Sequence, residues 1–488
     1  MPGARRVRFS YALAAVTGLV FLAIAASAPA VGVLVFAQPV KLDAASSKAG
    51  GIGLPAGTEP RIARGPDGRL WVMTNGLDKQ PEVFGSNAGG WQRVAFPHFD
   101  GPSPDVDIVV TRTGRLIATD LTSNGYAVRV FYSDDNGKSW TESKGTALAD
   151  QDRPWLAVGP DDPQTHKPRV YLLFHNLFSG LAVSDMFVST SRDGGRTFGR
   201  PVPIVLPGDP AFGDLACAGS SGPSGIAVDQ TTGRIYTLWG TRTSKRLGAC
   251  GAALPPGSVG ISVEPSSRIW VGTSPDGSLG SWSTSLAVDE SESQKILGML
   301  FASIATDSAG NVYVAYPETP HKYPDYSGAA VKYRWAPPDL SHWSAPVIVA
   351  GAGGAGHIAT HVVAGTPGRL GFAFLEGVIA PSGAATWFAT AAQTLDGLSE
   401  SPHFASESLA SFPSYAGTAT ELAGACGSGA TAGVQQASLC PRATDNFGLS
   451  LDADCEIVVV WPAVKNEADG THAGTWLSRQ TGSATLCG

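Results

Sequence analysis

Two short segments set a carboxylate at a fixed offset from a serine, a glycine and an aromatic ring. Ser133, Asp135, Gly137 and Trp140 share their spacing with Ser191, Asp193, Gly195 and Phe198. A pair of aspartates invites the two-carboxylate chemistry of glycoside hydrolysis. The local chemistry points elsewhere. Serine and aspartate side chains hydrogen-bond turn amides, and glycine takes a backbone conformation closed to other residues. Asp135 and Asp193 are therefore read as turn residues, with the aromatic packed inward. Asp152-Arg153-Pro154-Trp155 offers another chemistry. A guanidinium that donates hydrogen bonds beside an indole that stacks suits a sugar. An ion pair between neighbouring elements accounts for Asp152 and Arg153 equally well. His357 and His361 flank a strand start, where a lone histidine is more often structural than catalytic.

The six cysteines are Cys217, Cys250, Cys426, Cys440, Cys455 and Cys487. No two have CxxC spacing and no histidine lies at a ligand offset from one, so no metal site is expected. An even number in an exported chain favours disulfides. Pairing sequence neighbours is the economical arrangement: Cys217–Cys250, Cys426–Cys440 and Cys455–Cys487. There is no GxSxG elbow, phosphate loop or HExxH helix, and no cofactor is expected.

These residues sit on a repeating unit. A short apolar strand, a polar turn with glycine or aspartate, and a second apolar strand with an aromatic recur seven times. The units start near Arg61, Val106, Trp155, Ile226, Ile304, His361 and Leu449. They lie roughly 45 to 90 residues apart, the scale of a four-stranded propeller blade with variable loops. Two strands cannot bury their apolar faces alone, so a four-stranded sheet stacked on its neighbours is the natural unit. The pattern predicts an all-β propeller, with seven blades favoured and six as the alternative. Composition agrees: 60 glycines and 35 prolines among 488 residues suit many turns and exclude helical bundles. A hydrophobic content of 43% excludes a disordered chain. The net charge of −7 gives no reason to expect nucleic acid.

The two serine–aspartate segments fit the pattern S-x-D-x-G-x-S/T-W/F. In this the chain resembles the sialidase-like superfamily, whose bacterial neuraminidase repeats, or Asp-boxes, carry that signature. Degenerate copies stand at Ser274 to Gly277 with Trp282, at Asp339 to Trp343, and at Thr394 to Gly397 with Phe404. The resemblance implies that the Asp-box turns are structural and that any active site lies on the propeller axis. Sialidases grip a substrate carboxylate with three arginines and use a tyrosine nucleophile, a glutamate partner and an aspartate acid/base. Arg61, in Arg61-Ile62-Ala63 ahead of Gly68-Arg69-Leu70, matches two of the three residues of their first arginine motif. Asp105, with Asp100 and Asp107, lies where an acid/base is expected. Tyr415 and Glu376 are the weaker candidates for the nucleophile pair. Asp152 to Ala157 and Asp445 to Leu449 are similar to segments of exported bacterial Asp-box proteins. That places Arg153 and Trp155 beside the central channel. The substrate implied is a sialic-acid-like or other surface glycan; the alternative is a non-catalytic propeller that binds a glycan or a cell-surface protein.

Arg5, Arg6 and Arg8 precede an uncharged stretch from Ser10 to Pro39. This reads as a signal peptide or N-terminal membrane anchor over residues 1–40. Two cleavage sites compete. Ala26-Ser27-Ala28 is followed by Pro29, and Val35-Phe36-Ala37 is followed by Gln38. Uncut, residues 10–39 anchor the chain with the remainder outside. Residues 41–56 read as a linker and 57–488 as one propeller domain. A secreted or extracytoplasmic membrane-anchored monomer is expected.

Overall fold

The structure is a computed structural model. It describes residues 32–42, 59–75, 80–97, 105–122, 127–146, 151–176, 186–218, 220–241, 266–293, 295–297, 302–322, 327–379, 385–416, 447–463, 472–482 and 484–488. Seven antiparallel sheets form the blades of a β-propeller. Blade one, from axis to rim, is Arg61–Arg64, Leu70–Asn75, Pro81–Asn87 and Gly90–Val94. Blade two is Val106–Val110, Leu116–Thr122, Ala127–Ser133 and Thr141–Glu142. Blade three is Gln151–Asp161, Pro168–Asn176, Met186–Ser191 and Val202–Pro203. Blade four is Ser220–Val228, Ile235–Thr241, Arg268–Ser274 and Ser283–Asp289. Blade five has Ser303–Thr306 innermost, then Val312–Lys322, Ala330–Ala336 and Val347–Ala350; Lys295–Leu297 also pairs with its second strand. Blade six is Gly356–Ala364, Leu370–Ile379, Ala385–Thr394 and Ala405–Ser408, with Tyr415–Ala416 added to its third strand. Blade seven is Gly448–Leu451, Ile457–Ala463 and Gly474–Arg479, completed at the rim by Val40–Lys41.

The seven hairpins of the sequence are the two innermost strands of the seven blades. Six blades are thereby excluded. Pairing of Val40–Lys41 with the last strand joins both ends of the chain in one sheet, and carries the propeller N-terminal to the residue 57 boundary.

The core lies between blades, because side chains alternate across each strand. Trp71 and Met73 face blade two and pack with Val106, Ile108 and Leu116. Leu70 and Val72, one residue out of phase, face blade seven and pack with Val458, Val460 and Leu477. Every one of these side chains is buried. Each is worth roughly 1.5–3 kcal/mol of transfer free energy, so a blade is held by its neighbours rather than by itself.

Strand direction divides the molecule into two faces. Tight turns such as Gly65–Gly68 and Thr111–Gly114 close the first two strands of each blade on one face. The serine–aspartate turns at Ser133–Trp140 and Ser191–Phe198 lie on this turn-bearing face. The longer connections, between second and third strands and between blades, leave from the opposite, loop-bearing face. In the first of these turns the Ser133 hydroxyl donates to Asp135 Oδ1 at 2.8 Å and accepts from Gly137 N–H at 2.9 Å. Ser139 N–H donates to Asp135 Oδ1 at 2.9 Å. The Ser139 hydroxyl and its neighbours hold the Asp135 carboxyl at about 2, well below its ordinary value. Ser191, Asp193 and Gly195 repeat the geometry. Trp140 is half-buried and donates from Nε1 to Ala95 O at 2.7 Å, and Phe198 is buried.

Cys455 and Cys487 form a disulfide, with Cα atoms 5.6 Å apart. It ties the start of the second strand of blade seven to the chain's last residues. Cys217 lies on the short helix Phe212–Ala218, and Cys250, Cys426 and Cys440 fall outside the described residues. No helix among the described residues is long and apolar enough to cross a membrane.

Gly195 shows how tightly a serine–aspartate turn of blade three seats on blade two. Its φ is +86°, and an added Cβ would lie 2.6 Å from Ile117 Cδ1. Gly195→Ala is expected to cost about 1–3 kcal/mol in denaturant titration. Gly114 has a similar φ of +85° but open space around it, so Gly114→Ala is expected to lose less. Equal losses would show that the approach to Ile117 contributes nothing.

Candidate functional site

The inner strands begin at the loop-bearing face and run down the axis. Three of them carry, at or near their first residues, a residue held in the left-handed region without glycine's freedom. These are Glu59 (φ 56°), Arg153 (φ 56°) and Ala359 (φ 54°). Register breaks accompany two of them, between Asp152 and Trp155 and between Ile358 and His361. Such a conformation costs on the order of 1–3 kcal/mol and persists only where surroundings impose it. In each case the residue two positions on lines the axial channel: Arg61, Trp155 and His361.

The Arg61 guanidinium lies over the Trp155 ring, 3.7 Å from its centroid. Trp155 is fixed from the other side, because its Nε1–H donates to Pro223 O at 2.9 Å. Arg61 is only 9% exposed, and its Nε makes no hydrogen bond. The nearest carboxylate is Asp107, with Oδ1 at 3.8 Å from Arg61 Nε. Asp107 is already engaged: Oδ1 accepts from Ile108 N–H at 2.9 Å and Oδ2 from Leu156 N–H at 2.7 Å. Burial pulls the Arg61 guanidinium below its ordinary pKa, against the attraction of Asp107, Glu59 and Asp105.

Beside this group is a polar cavity of about 230 Å³. Arg61, Asp107, Trp155, Ser224, Ser303 and His361 supply its polar wall. His361 Nε2 accepts from Phe447 N–H at 3.2 Å, which leaves the ring proton on Nδ1. Burial, helped by the charge of Arg61, pushes His361 down to about 3, so it is a neutral side chain at physiological pH. The Ser303 hydroxyl accepts from Val362 N–H at 3.1 Å.

A carboxylate cluster stands at the strand starts. Asp105 is hydrogen-bonded to both Glu59 and Asp152. Burial, followed by the charge of Asp152, pushes Asp105 up to about 7; Arg153, 3.9 Å away, works against this. Burial also disfavours the Asp152 charge. The His175 hydrogen bond (Nε2 to Oδ2, 3.4 Å) and Arg153 outweigh it and hold Asp152 at about 2. Asp105 thus keeps its proton up to near neutrality while Asp152 stays ionised. Asp120, on the second strand of blade two, is fully buried with neither carboxylate oxygen hydrogen-bonded, and burial raises it to about 7.

The structure brings Arg61, Trp155, Arg153 and Asp105 to one end of the axis. Tyr415 is elsewhere: it is buried in the core shared by blades six and seven and pairs with Trp387 on the third strand of blade six. Glu376 pairs with His357 in blade six and accepts from the Thr390 hydroxyl at 3.2 Å. Asp100 lies outside the described residues. Asp135 and Asp193 are on the turn-bearing face, away from this cluster. Sequence reasoning gave no role to the His361–Phe447 contact, the Asp152–His175 pair or Asp120. A larger cavity of about 780 Å³ opens at the turn-bearing end of the channel. Its two arginines are already engaged, Arg64 with the Asp452 carbonyl and Arg112 with Asp161. The smaller cavity is the one that holds the sequence candidates Arg61 and Trp155.

No protein-family profile matches the chain, and no curated protein matches it. Solved structures do. The chain is similar to an ulvan lyase described as a new polysaccharide lyase family, at TM-score 0.50 and 12% identity, over 91% of this chain and 95% of that one. It also matches an alpha-L-arabinanase from Penicillium chrysogenum complexed with arabinobiose, at TM-score 0.45 and 11% identity, over 70% and 94%. A third match is the Aleuria aurantia lectin in complex with Fucalpha1-6GlcNAc, at TM-score 0.37 and 10% identity, over 73% and 97%. The lyase likeness shows a shared propeller fold, and fold alone does not fix function.

The buried groups give opposite pH slopes. Folded Asp105 and Asp120 hold protons near pH 7 that the unfolded chain releases near pH 4, so their contribution to stability falls as pH rises through that window. Folded His361 stays neutral down to about 3 while the unfolded ring protonates near 6.5, so its contribution falls as pH drops below 6.5. In urea titrations Asp105→Asn is expected to gain about 1 kcal/mol or more at pH 8 and nothing at pH 4. His361→Gln is expected to lose less stability than wild type between pH 7 and pH 4.5. An Asp105→Asn variant that tracks wild type at both pH values would show that Asp105 ionises normally.

Proposed function

We propose that this chain is an exported glycoside hydrolase that seats the carboxylate of a sialic-acid-like sugar on Arg61. One observation carries the reading. Arg61 is a buried guanidinium at the edge of a polar axial cavity, stacked on Trp155, with its Nε unbonded and its nearest carboxylate committed to backbone amides. A guanidinium fork matches a carboxylate with two parallel hydrogen bonds. Asp105 holds a proton near neutral pH, and that proton is the one a leaving glycosidic oxygen needs. A water molecule supplies the hydroxyl to the sugar and returns a proton to the carboxylate pair. The Asp-box turns support the sialidase-like resemblance. The Cys455–Cys487 disulfide and the N-terminal apolar stretch support export. The ulvan lyase, named for a polysaccharide, gives a precedent for a propeller of this shape working on a glycan.

A second reading is a surface propeller that binds an acidic glycan or a protein without cleaving it. It is favoured by what lines the cavity: among the described residues there is one arginine and no tyrosine. The three-arginine grip and the tyrosine nucleophile of sialidases are not assembled there.

Release of 4-methylumbelliferone from its sialic acid conjugate separates the two. Turnover is expected, with kcat/KM about 10- to 100-fold lower in Arg61→Ala, the worth of hydrogen bonds to a charged group. Asp105→Asn is expected to lower kcat with little change in KM. Binding of sialylated oligosaccharide without turnover, lost in Arg61→Ala, would establish the second reading. Neither turnover nor binding, or either one unchanged in Arg61→Ala, would remove Arg61 from the site.

A further inference from the structure

The N-terminal leader meets the propeller at a place the strand pairing locates. Residues 33–42 run antiparallel along the last strand of blade seven. Val40 pairs with Leu477, Lys41 with Trp476, and Phe36 bridges to Gln480. Backbone bonds continue along the segment: Ala37 N–H donates to Arg479 O at 2.8 Å, Leu42 N–H to Thr475 O at 2.9 Å, and Thr481 N–H to Val35 O at 2.8 Å. The Ser478 hydroxyl donates to Ala37 O at 2.5 Å. Leu34 is 2% exposed and belongs to the same apolar cluster as Trp461 and Leu486, with Phe36 packed against it. The other sheets draw their rim strand from their own stretch of chain; this one takes it from the opposite terminus.

We propose that the mature protein keeps this strand, so that any leader cut falls upstream of Leu34 and Val35-Phe36-Ala37 is not used as a processing site. Hydrolysis of the Ala37–Gln38 peptide bond would leave the Leu34 pocket empty. It would also take the Ala37 N–H from the Arg479 carbonyl, and the Val35 and Ala37 carbonyls from the Thr481 N–H and the Ser478 hydroxyl, while the Val40–Lys41 pairing would remain. A cut at Ala26-Ser27-Ala28, or none, retains every one of these contacts. The direction of the strand has a consequence for the site. The segment runs from Gln480, at the turn-bearing face, to Thr475, near the loop-bearing face. Whatever precedes Gly32 therefore joins the propeller at the turn-bearing face, at the far end of the axis from Arg61 and Asp105.

The test is to export the full chain in a bacterial host and determine its N-terminus by intact mass and sequencing. A first residue anywhere up to Leu34 is expected. A first residue beyond Leu34, Gln38 above all, would overturn the inference. Purified chains starting at Gly32 and at Gln38 provide the second arm. The longer chain is expected to melt several degrees higher, and Leu34→Asp in it to fall towards the shorter chain. A Gln38 chain that does not fold is the extreme of the same result. Equal melting of the two chains would show that the strand adds nothing and would also overturn the inference.

Discussion

A four-stranded blade has two apolar faces, and only the neighbouring blades can cover both, so the ring has to close. Everything else follows from that constraint. Blade seven closes it by taking three strands from the end of the chain and its rim strand from the beginning. The Cys455–Cys487 disulfide then fastens the final residues to the same sheet. Closure also fixes what meets at the centre, because each inner strand presents one face to the axis.

The centre is where the structure departs from regularity. Glu59, Arg153 and Ala359 occupy left-handed backbone that costs non-glycine residues free energy, and each is followed at the second position by a channel-lining side chain. The strain is local and the return is positional: Arg61 rests on Trp155, and His361 is aimed at the same cavity. Burial then sets the chemistry. It keeps His361 neutral, raises Asp105 to about 7 and leaves the Arg61 Nε without a hydrogen-bond acceptor. The opposite face behaves differently. There the Asp135 and Asp193 carboxylates accept hydrogen bonds from the amides of their own turns, at the far end of the axis from the cavity.

The blades were legible in the sequence because their signals are local. Strand alternation, a turn glycine and the Ser–Asp–Gly spacing all act within about ten residues. The Cys455–Cys487 pairing was legible as a pairing of neighbours. The axial site was legible only in pieces. Arg61, Arg153, Trp155 and Asp105 were singled out, yet nothing in the sequence marks Glu59, Arg153 or Ala359 as left-handed, since none is glycine. The His361–Phe447 and Trp155–Pro223 contacts span 86 and 68 residues and exist only because the ring closes. Residues 33–42 fall in the sequence's leader and linker, and their pairing along blade seven has no local mark, because an apolar rim strand and an apolar export signal look alike in composition.

The measurement that bears most directly on the axial site is a crystal structure of the Asp105→Asn variant with a sialylated oligosaccharide. The expected result is a sugar carboxylate paired with the Arg61 guanidinium, with the sugar in the cavity beside Trp155 and His361. A sugar bound only on the outer surface, with Arg61 still stacked and without a ligand, would contradict it.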